Sequence, residues 1–274
     1  EYSVAYSRTE ERAREFAEKM GAPASCHDLE ELVHSDLADC IYVASPNSLH
    51  FQQAKAALEA GKHVIVEKPA VSNLGEWKIL EETAKRNGVF LMEAVRHVYD
   101  PAMDAIRRGM GEIGTVRRAS LRYCQYSSRY DKFRRGVVEN AFNPELSNGA
   151  LMDIGVYCVR MMGELFGYPE ALLAHGIFLK NGVDGAGSIL GIYPGMDVEL
   201  SYSKIADGKI GCEIQGEDGT LVLSGVARPG NVVLFRRGGE REVLWEEDDG
   251  WNLEYEIRTF AGWMERGDLR AADY

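Results

Sequence analysis

The sequence is short of what several protein classes require. Its five cysteines, Cys26, Cys40, Cys124, Cys158 and Cys212, are an odd number, widely spaced and without a C-x-x-C pair. That pattern argues against a disulfide framework or a zinc knuckle and suits a reducing compartment. The six histidines are equally scattered, with no H-E-x-x-H spacing, so no metal site is expected. No apolar run approaches the ~20 residues of a transmembrane helix. Residues 1–20 carry Glu10, Glu11, Arg12, Arg14, Glu15, Glu18 and Lys19 where a secretory signal needs an apolar stretch. Basic blocks are absent beyond short pairs such as Arg107-Arg108 and Arg134-Arg135, and the formal net charge is −12. Such an acidic field repels nucleic acid and anionic lipid. These absences leave a cytoplasmic protein whose partner is a small molecule, with neither nucleic acid nor membrane.

What is present is ordinary globular composition, 45% hydrophobic and 27% charged over 274 residues, a length that suits two domains. The first stretch alternates strand and helix. Val4-Ala5-Tyr6 reads as a short strand, and Thr9 as the N-cap of a helix whose Ala13, Phe16, Ala17 and Met20 recur at helical spacing before Gly21. Asp28 to His34 reads as a second helix, Cys40 to Ala44 as a strand, and Phe51, Ala54 and Leu58 as one face of the helix that follows. Val64-Ile65-Val66, the helix of Trp77, Leu80 and Ala84, and the strand from Val89 to Met92 continue the alternation. Strands joined by helices predict a parallel, doubly wound α/β domain. After Pro101 the pattern changes. A helix over 102–108, a strand from Val116 and a helix from about Ala150 to Phe166 precede five to seven antiparallel strands over 171–245, punctuated by Asn181-Gly182, Asp207-Gly208 and Asp218-Gly219. One late helix covers 252–265. The expected organisation is a partial dinucleotide-binding domain over 1–97 and, over 98–274, an α+β substrate-binding and oligomerisation domain with a large, mostly antiparallel open sheet.

A dinucleotide-binding domain should open with strand, G-x-G-x-x-G turn and helix. The one match, Gly109-Met110-Gly111-Glu112-Ile113-Gly114, follows a helix and precedes a strand, the reverse of the context that aims backbone N–H groups at a pyrophosphate. It reads as a helix end and turn. The expectation is therefore that the first strand, glycine loop and helix lie upstream, so that Val4-Ala5-Tyr6 is the domain's second strand. Ser7 and Arg8 then stand where the adenosine ribose is read, and a hydroxyl with a guanidinium suits the 2′-phosphate of NADP, NAD remaining possible.

Ligands of open parallel sheets bind outside the carboxyl ends of the strands. Two loops there, Ser45-Pro46-Asn47 and Glu67-Lys68-Pro69, each follow a strand directly and carry a proline. Together with Ser45 to His50 (S-P-N-S-L-H), Ala60 to Pro69 (A-G-K-H-V-I-V-E-K-P), Met92 to Ala94 (M-E-A), Gly111 to Val116 (G-E-I-G-T-V) and Asn148 to Tyr157 (N-G-A-L-M-D-I-G-V-Y), the chain resembles the Gfo/Idh/MocA oxidoreductases along essentially its whole length. The resemblance implies hydride transfer between a nicotinamide and a sugar, polyol or diol carbinol. It places Lys68 in the active site and matches Asp153 and Tyr157 to the second catalytic motif. Pro46, Asn47 and Glu67 match positions near the nicotinamide end. The tyrosine form of that motif is similar to dihydrodiol dehydrogenases, NADP-linked xylose dehydrogenases and glucose–fructose oxidoreductase. Arg96-His97-Val98-Tyr99-Asp100 departs from the W-x-R-F often found before Pro101, so substrate contacts there are not carried over. The chain also stops at Tyr274, where the family usually continues, so both ends are expected to be truncated.

Independently of the resemblance, Asp153 and Tyr157 are spaced i and i+4, one face of a helix near its N-terminus, where the dipole favours negative charge. The alternative is a capping aspartate and a core tyrosine. The leading expectation is an NADP(H)-preferring dehydrogenase with its active site in the cleft between the domains, Lys68 and Tyr157 handling the hydroxyl proton and Asp153 orienting a carbohydrate-like substrate. An NAD-dependent glycosidase and a non-catalytic ligand sensor are the rival readings. A homo-oligomer is expected through the sheet, with Ile189 and Tyr193 on an uncovered face.

Overall fold

The computed structural model describes residues 2–247 and 253–267. Two compact units divide the chain, one of residues 1–94 and 260–274 and one of residues 95–259. The sequence division at 97/98 differs at the tail, whose last helix returns to the first unit from Phe260.

The first unit alternates β1 (Val4–Tyr6), α1 (Glu10–Met20), β2 (Ala24–Cys26), α2 (Leu29–His34), β3 (Cys40–Val43), α3 (Asn47–Glu59), β4 (His63–Glu67), α4 (Leu74–Asn87) and β5 (Leu91–Ala94). Local chemistry sets the helix ends. Thr9 Oγ1 accepts from Arg12 N–H, Asp28 Oδ1 accepts from the N–H groups of Glu30 and Glu31, and Gly21 and Gly88 take left-handed conformations at the stops. The strands pair in parallel, as their alternation with helices predicts, but in two sheets, β1-β2 and β3-β4-β5. β2 carries no apolar alternation and is too short to be legible as a strand. Ala54, Leu58, Val64, Val66 and Leu80 form the core of this unit, all 0% exposed.

The second unit begins with a 3-10 turn (Arg96–Tyr99), α5 (Ala102–Met110) and β6 (Val116–Cys124). The G-x-G-x-x-G stretch is the end of α5 and the turn into β6. Gly114 turns at φ 72°, where a Cβ would collide with the Asp218 carboxylate. The irregular stretch after β6 holds α6 (Tyr130–Arg134) and two 3-10 turns, with Phe133, Phe142 and Val183 forming a small core. A π-helical turn (Leu151–Gly155) leads into α7 (Val156–Phe166), where the sequence predicted one continuous α-helix. Strands β7 (Ala171–Phe178), β8 (Asp184–Tyr193), β9 (Met196–Ser203), β10 (Cys212–Gly216), β11 (Gly219–Leu223), β12 (Asn231–Arg236) and β13 (Arg241–Glu246) follow, then α8 (Leu253–Arg266).

The eight-stranded sheet runs β13-β12-β11-β10-β6-β9-β8-β7, antiparallel except for the β6–β9 pair. One face carries Ala119, Leu121, Val198, Leu200, Ile214 and Leu221, all 0% exposed, against Met103 and Ile106 of α5 and Met161 of α7. Ile189 and Tyr193 correct the expectation made of them. They lie on this covered face, Ile189 opposite Leu200, while the Tyr193 hydroxyl donates to Gly167 O at 2.8 Å. Glycine makes the covering possible, because a side chain at Gly187 would occupy the place of the Tyr202 phenol. The opposite face exposes Leu173 (61%) and Ile177 (52%) of β7.

Candidate active site

In the first unit the register of β3 on β4, Val43 opposite Val66, brings the two proline-bearing loops side by side at the carboxyl edge of the sheet. Pro46 stands at the N-cap of α3, and its carbonyl accepts from Leu49 N–H at 2.8 Å. Asn47 opens the helix. Glu67 ends β4 and accepts from the Tyr42 hydroxyl at 2.7 Å, Lys68 is half-buried, and the Lys68–Pro69 peptide is cis.

His50 ties these loops together. Its imidazole is 1% exposed, with Nδ1 2.8 Å from Pro69 O and Nε2 2.7 Å from Ser45 O. It lies inside the quoted S-P-N-S-L-H motif, yet sequence reasoning assigned it no role, because nothing in the string says that its ring spans both loops. Glu93 is a second such residue, accepting from Ala70 N–H at 2.9 Å and so holding the far end of the Lys68 loop.

Ser7 and Arg8 leave the end of β1. Ser7 N–H donates to Cys26 O at 3.2 Å, and Arg8 is exposed. The donor set at these strand ends fits a nicotinamide dinucleotide. The Ser45 hydroxyl is buried without a hydrogen-bond partner among the described residues, a polar atom left for a ligand at a sheet edge where parallel sheets bind them.

In the second unit Asp153 lies in the π-helical turn, a feature often placed at functional sites. The turn is held from β8, where Asp184 Oδ2 accepts from Leu151 N–H at 2.7 Å. Gly149, at φ 152°, leaves room for that carboxylate, and Gly155 lies where a Cβ would press on the Tyr202 ring. Asp153 is no helix cap. Its Oδ2 accepts from Lys204 Nζ at 2.5 Å, and Lys204, 3% exposed, also donates to Ala141 O at 3.0 Å and stands 4.9 Å from the Phe142 ring centre. The sequence hid Lys204 because it follows the alternating strand β9 as an isolated charge.

Tyr157 opens α7 half-buried, its ring 5.7 Å from the ring centres of both His97 and Tyr123. His97 is 0% exposed, and both its ring nitrogens lack hydrogen-bond partners among the described residues. Burial, and then the nearby Arg160 and Arg96 charges, push its pKa down to about 3, so it is neutral beside Tyr157. Within each unit the predicted residues thus group together, Pro46, Asn47, Glu67 and Lys68 in one and Asp153 and Tyr157 in the other.

A family model described as "Oxidoreductase family, NAD-binding Rossmann fold" matches residues 1–95, and one described as "GFO/IDH/MocA C-terminal domain" matches residues 105–222. The scyllo-inositol 2-dehydrogenase (NADP(+)) IolU of Bacillus subtilis is 44% identical over 271 residues, 99% of this chain and 83% of that protein. The trans-1,2-dihydrobenzene-1,2-diol dehydrogenase of Macaca fascicularis is 32% identical over 270 residues, 93% of this chain and 78% of that protein. Among solved structures, the 3-ketoreductase KijD10 from Actinomadura kijaniata, in complex with NADP and TDP-benzene, superposes with a TM-score of 0.84 at 26% identity, covering 99% of this chain and 87% of that one. Levoglucosan dehydrogenase in complex with NADH and levoglucosan shares the fold, with a TM-score of 0.85 at 23% identity over 97% of this chain and 81% of that one.

Proposed function

The chain belongs to the Gfo/Idh/MocA oxidoreductase family, and from that premise we propose that it is an NADP(H)-preferring dehydrogenase acting on the carbinol group of a sugar, cyclic polyol or diol. The observation that carries this reading is the 44% identity to an NADP-dependent inositol dehydrogenase across 99% of the chain. That span includes both the strand-end loops and the Asp153–Tyr157 helix.

Ser7 and Arg8 are assigned the 2′ position of the adenosine ribose, where a guanidinium favours a phosphate. Pro46, Asn47 and Glu67 line the nicotinamide end, and the nicotinamide, when bound, takes up or gives the hydride. Lys68 Nζ and the Tyr157 hydroxyl hold and move the proton of the reacting hydroxyl. Asp153 orients the substrate hydroxyls, its carboxylate fixed by the ion pair with Lys204. Carbohydrate-like small molecules match this hydrogen-bonding set. The five free thiols fit a cytoplasmic location, and among the described residues no helix is long and apolar enough to cross a membrane.

The test is a panel of inositols, aldoses and diols with NADP+, read by absorbance of the reduced nicotinamide. At least one member should be oxidised with net NADPH formation. Tyr157→Phe should lower kcat by about 10²–10⁴ while leaving NADPH affinity near that of the parent. Arg8→Ala should weaken NADPH about ten- to a hundredfold and NADH little. Tightly retained cofactor with no net reduction on any member would remove the dehydrogenase reading.

A further inference from the structure

Among the described residues Lys204 is the one lysine or arginine that is buried, at 3% exposed just beyond the end of β9. Its Nζ donates to Asp153 Oδ2 at 2.5 Å and to Ala141 O at 3.0 Å, with the Phe142 ring centre 4.9 Å away. Taking an ammonium out of water is costly, and an apolar side chain of similar length would fill the space beside Phe142 at a smaller penalty. What such a side chain cannot supply is a positive charge against Asp153. That charge bears on the residue one helical turn further on. Tyr157 lies four positions beyond Asp153, a spacing that sets side chains roughly 6 Å apart along a helix. A lone carboxylate at that range opposes negative charge on the phenol oxygen, whereas a carboxylate paired with an ammonium opposes it far less. The other groups around Tyr157 leave this task to Lys204. From the 3-10 turn come Arg96, whose Nε donates to Ala227 O, and His97, which is neutral; β6 contributes the Tyr123 ring. Arg160 of α7 pairs with Glu164 at 3.2 Å. Behind the π-helical turn, Asp184 of β8 accepts from Leu151 N–H, and burial pushes the Tyr202 phenol of β9 up to about 12.

We propose that Lys204 is a positioning residue for proton transfer at Tyr157, holding Asp153 in place and cancelling its charge so that the phenol oxygen can become negative. Oxidation of a carbinol sends the C–H electron pair with its proton to the nicotinamide as hydride and the O–H proton to a base, leaving C=O. A phenolate at Tyr157 accepts that proton and becomes the phenol, and in the reverse direction the phenol returns it. Lys204 touches neither substrate nor cofactor in this scheme and acts through Asp153 alone. The inference deepens the reading above and rests on Tyr157 moving the proton.

The experiment titrates the Tyr157 phenol directly, without substrate, by NMR of the full chain carrying tyrosine labelled with carbon-13 at Cζ, the Tyr157→Phe variant assigning the signal. Lys204→Met should raise the Tyr157 midpoint by roughly one pH unit, and Asp153→Asn should lower it by about as much. The Asp153→Asn/Lys204→Met double variant, with both charges gone, should return the midpoint close to that of the parent, and Lys204→Arg, which keeps the charge, should hold it there. Opposed shifts that cancel in the double variant are a signature that a packing role does not produce. On any polyol that the parent oxidises, the pH of half-maximal kcat should move with the NMR midpoint in each variant. An unmoved midpoint in both single variants, or shifts of one sign, overturns the proposal. Should Lys204→Met fail to fold, Asp153→Asn, whose amide oxygen still accepts from Lys204, decides it by the sign of its shift alone. Opposed shifts in a protein that oxidises no polyol support the charge cancellation, and the dehydrogenase reading alone fails. Turnover whose pH profile is the same in parent and Lys204→Met overturns the proposal and leaves the dehydrogenase reading standing.

Discussion

Asp153 and Lys204 form an ion pair whose two ends live in different surroundings, and the difference predicts unequal costs. The Lys204 side chain is 4% exposed and the Asp153 side chain 34%. Asp153→Ala leaves a buried ammonium with only the Ala141 carbonyl and the Phe142 ring, a loss of about 3–5 kcal/mol for an orphaned buried charge. Lys204→Met leaves a carboxylate that water can reach, and should cost nearer to ~1.5–3 kcal/mol. Urea denaturation of both variants checks the order, and a larger loss for Lys204→Met would contradict it. His97 makes a prediction with a definite sign. Its pKa falls from the ordinary 6.5 of an imidazole to about 3 in the fold, so the unfolded chain takes up a proton that the folded chain refuses between those pH values. The stability contributed by the neutral ring is present above pH 6.5 and is lost as the pH falls toward 3. At pH 5 this amounts to about 2 kcal/mol at 1.4 kcal/mol per unit. His97→Phe, which keeps a ring against Tyr157, should make the drop in unfolding free energy from pH 7 to pH 5, read by urea denaturation, smaller by that amount.

At the scale of elements, the loops after β3 and β4 owe their arrangement to α3, which presents His50 to both. His50→Ala removes the ring between the Ser45 and Pro69 carbonyls. One N–H donor is lost from a buried site, which costs about 1–3 kcal/mol. The KM for NADPH should rise more than kcat falls, because the loops no longer hold one geometry for the cofactor. Thermal denaturation and cofactor titration read the two effects, and an unchanged KM would show that the loops keep their places without the ring. How much of this was legible in the sequence divides cleanly by range. Thr9, Gly21 and Gly88 act within one helical turn, so their signals stand in neighbouring residues. The π-helical turn at Leu151–Gly155 was illegible because its causes, Asp184 on β8 and the Tyr202 ring on β9, come from more than thirty residues downstream.

For the whole molecule, association between copies is expected through the sheet face that the helices of the second unit leave bare. Leu173 and Ile177 are 61% and 52% exposed on β7, with Leu190 paired across from Leu173. Sedimentation at micromolar concentration should show a homo-oligomer, and a Leu173→Glu/Ile177→Glu double variant should dissociate it with little change in the stability of the monomer, since neither side chain is in the core. A monomeric parent protein would remove this expectation. The corrected placement of Ile189 and Tyr193 matters here, because variants at those covered positions would unfold the sheet rather than test the interface.

What the sequence determined by itself was the kind and succession of elements: parallel α/β first, a large sheet later, and a G-x-G-x-x-G that ends a helix instead of cradling a phosphate. Helix caps, turn glycines and alternation are written in adjacent residues because backbone hydrogen bonds and φ preferences reach only a few positions. The tertiary structure alone decided the pairing of β6 with β9 in parallel, the face on which Ile189 lies and the partner of Asp153. Each of those joins residues far apart in the chain, and the free energy that selects them is that of burying surface and pairing charge, which no local pattern records.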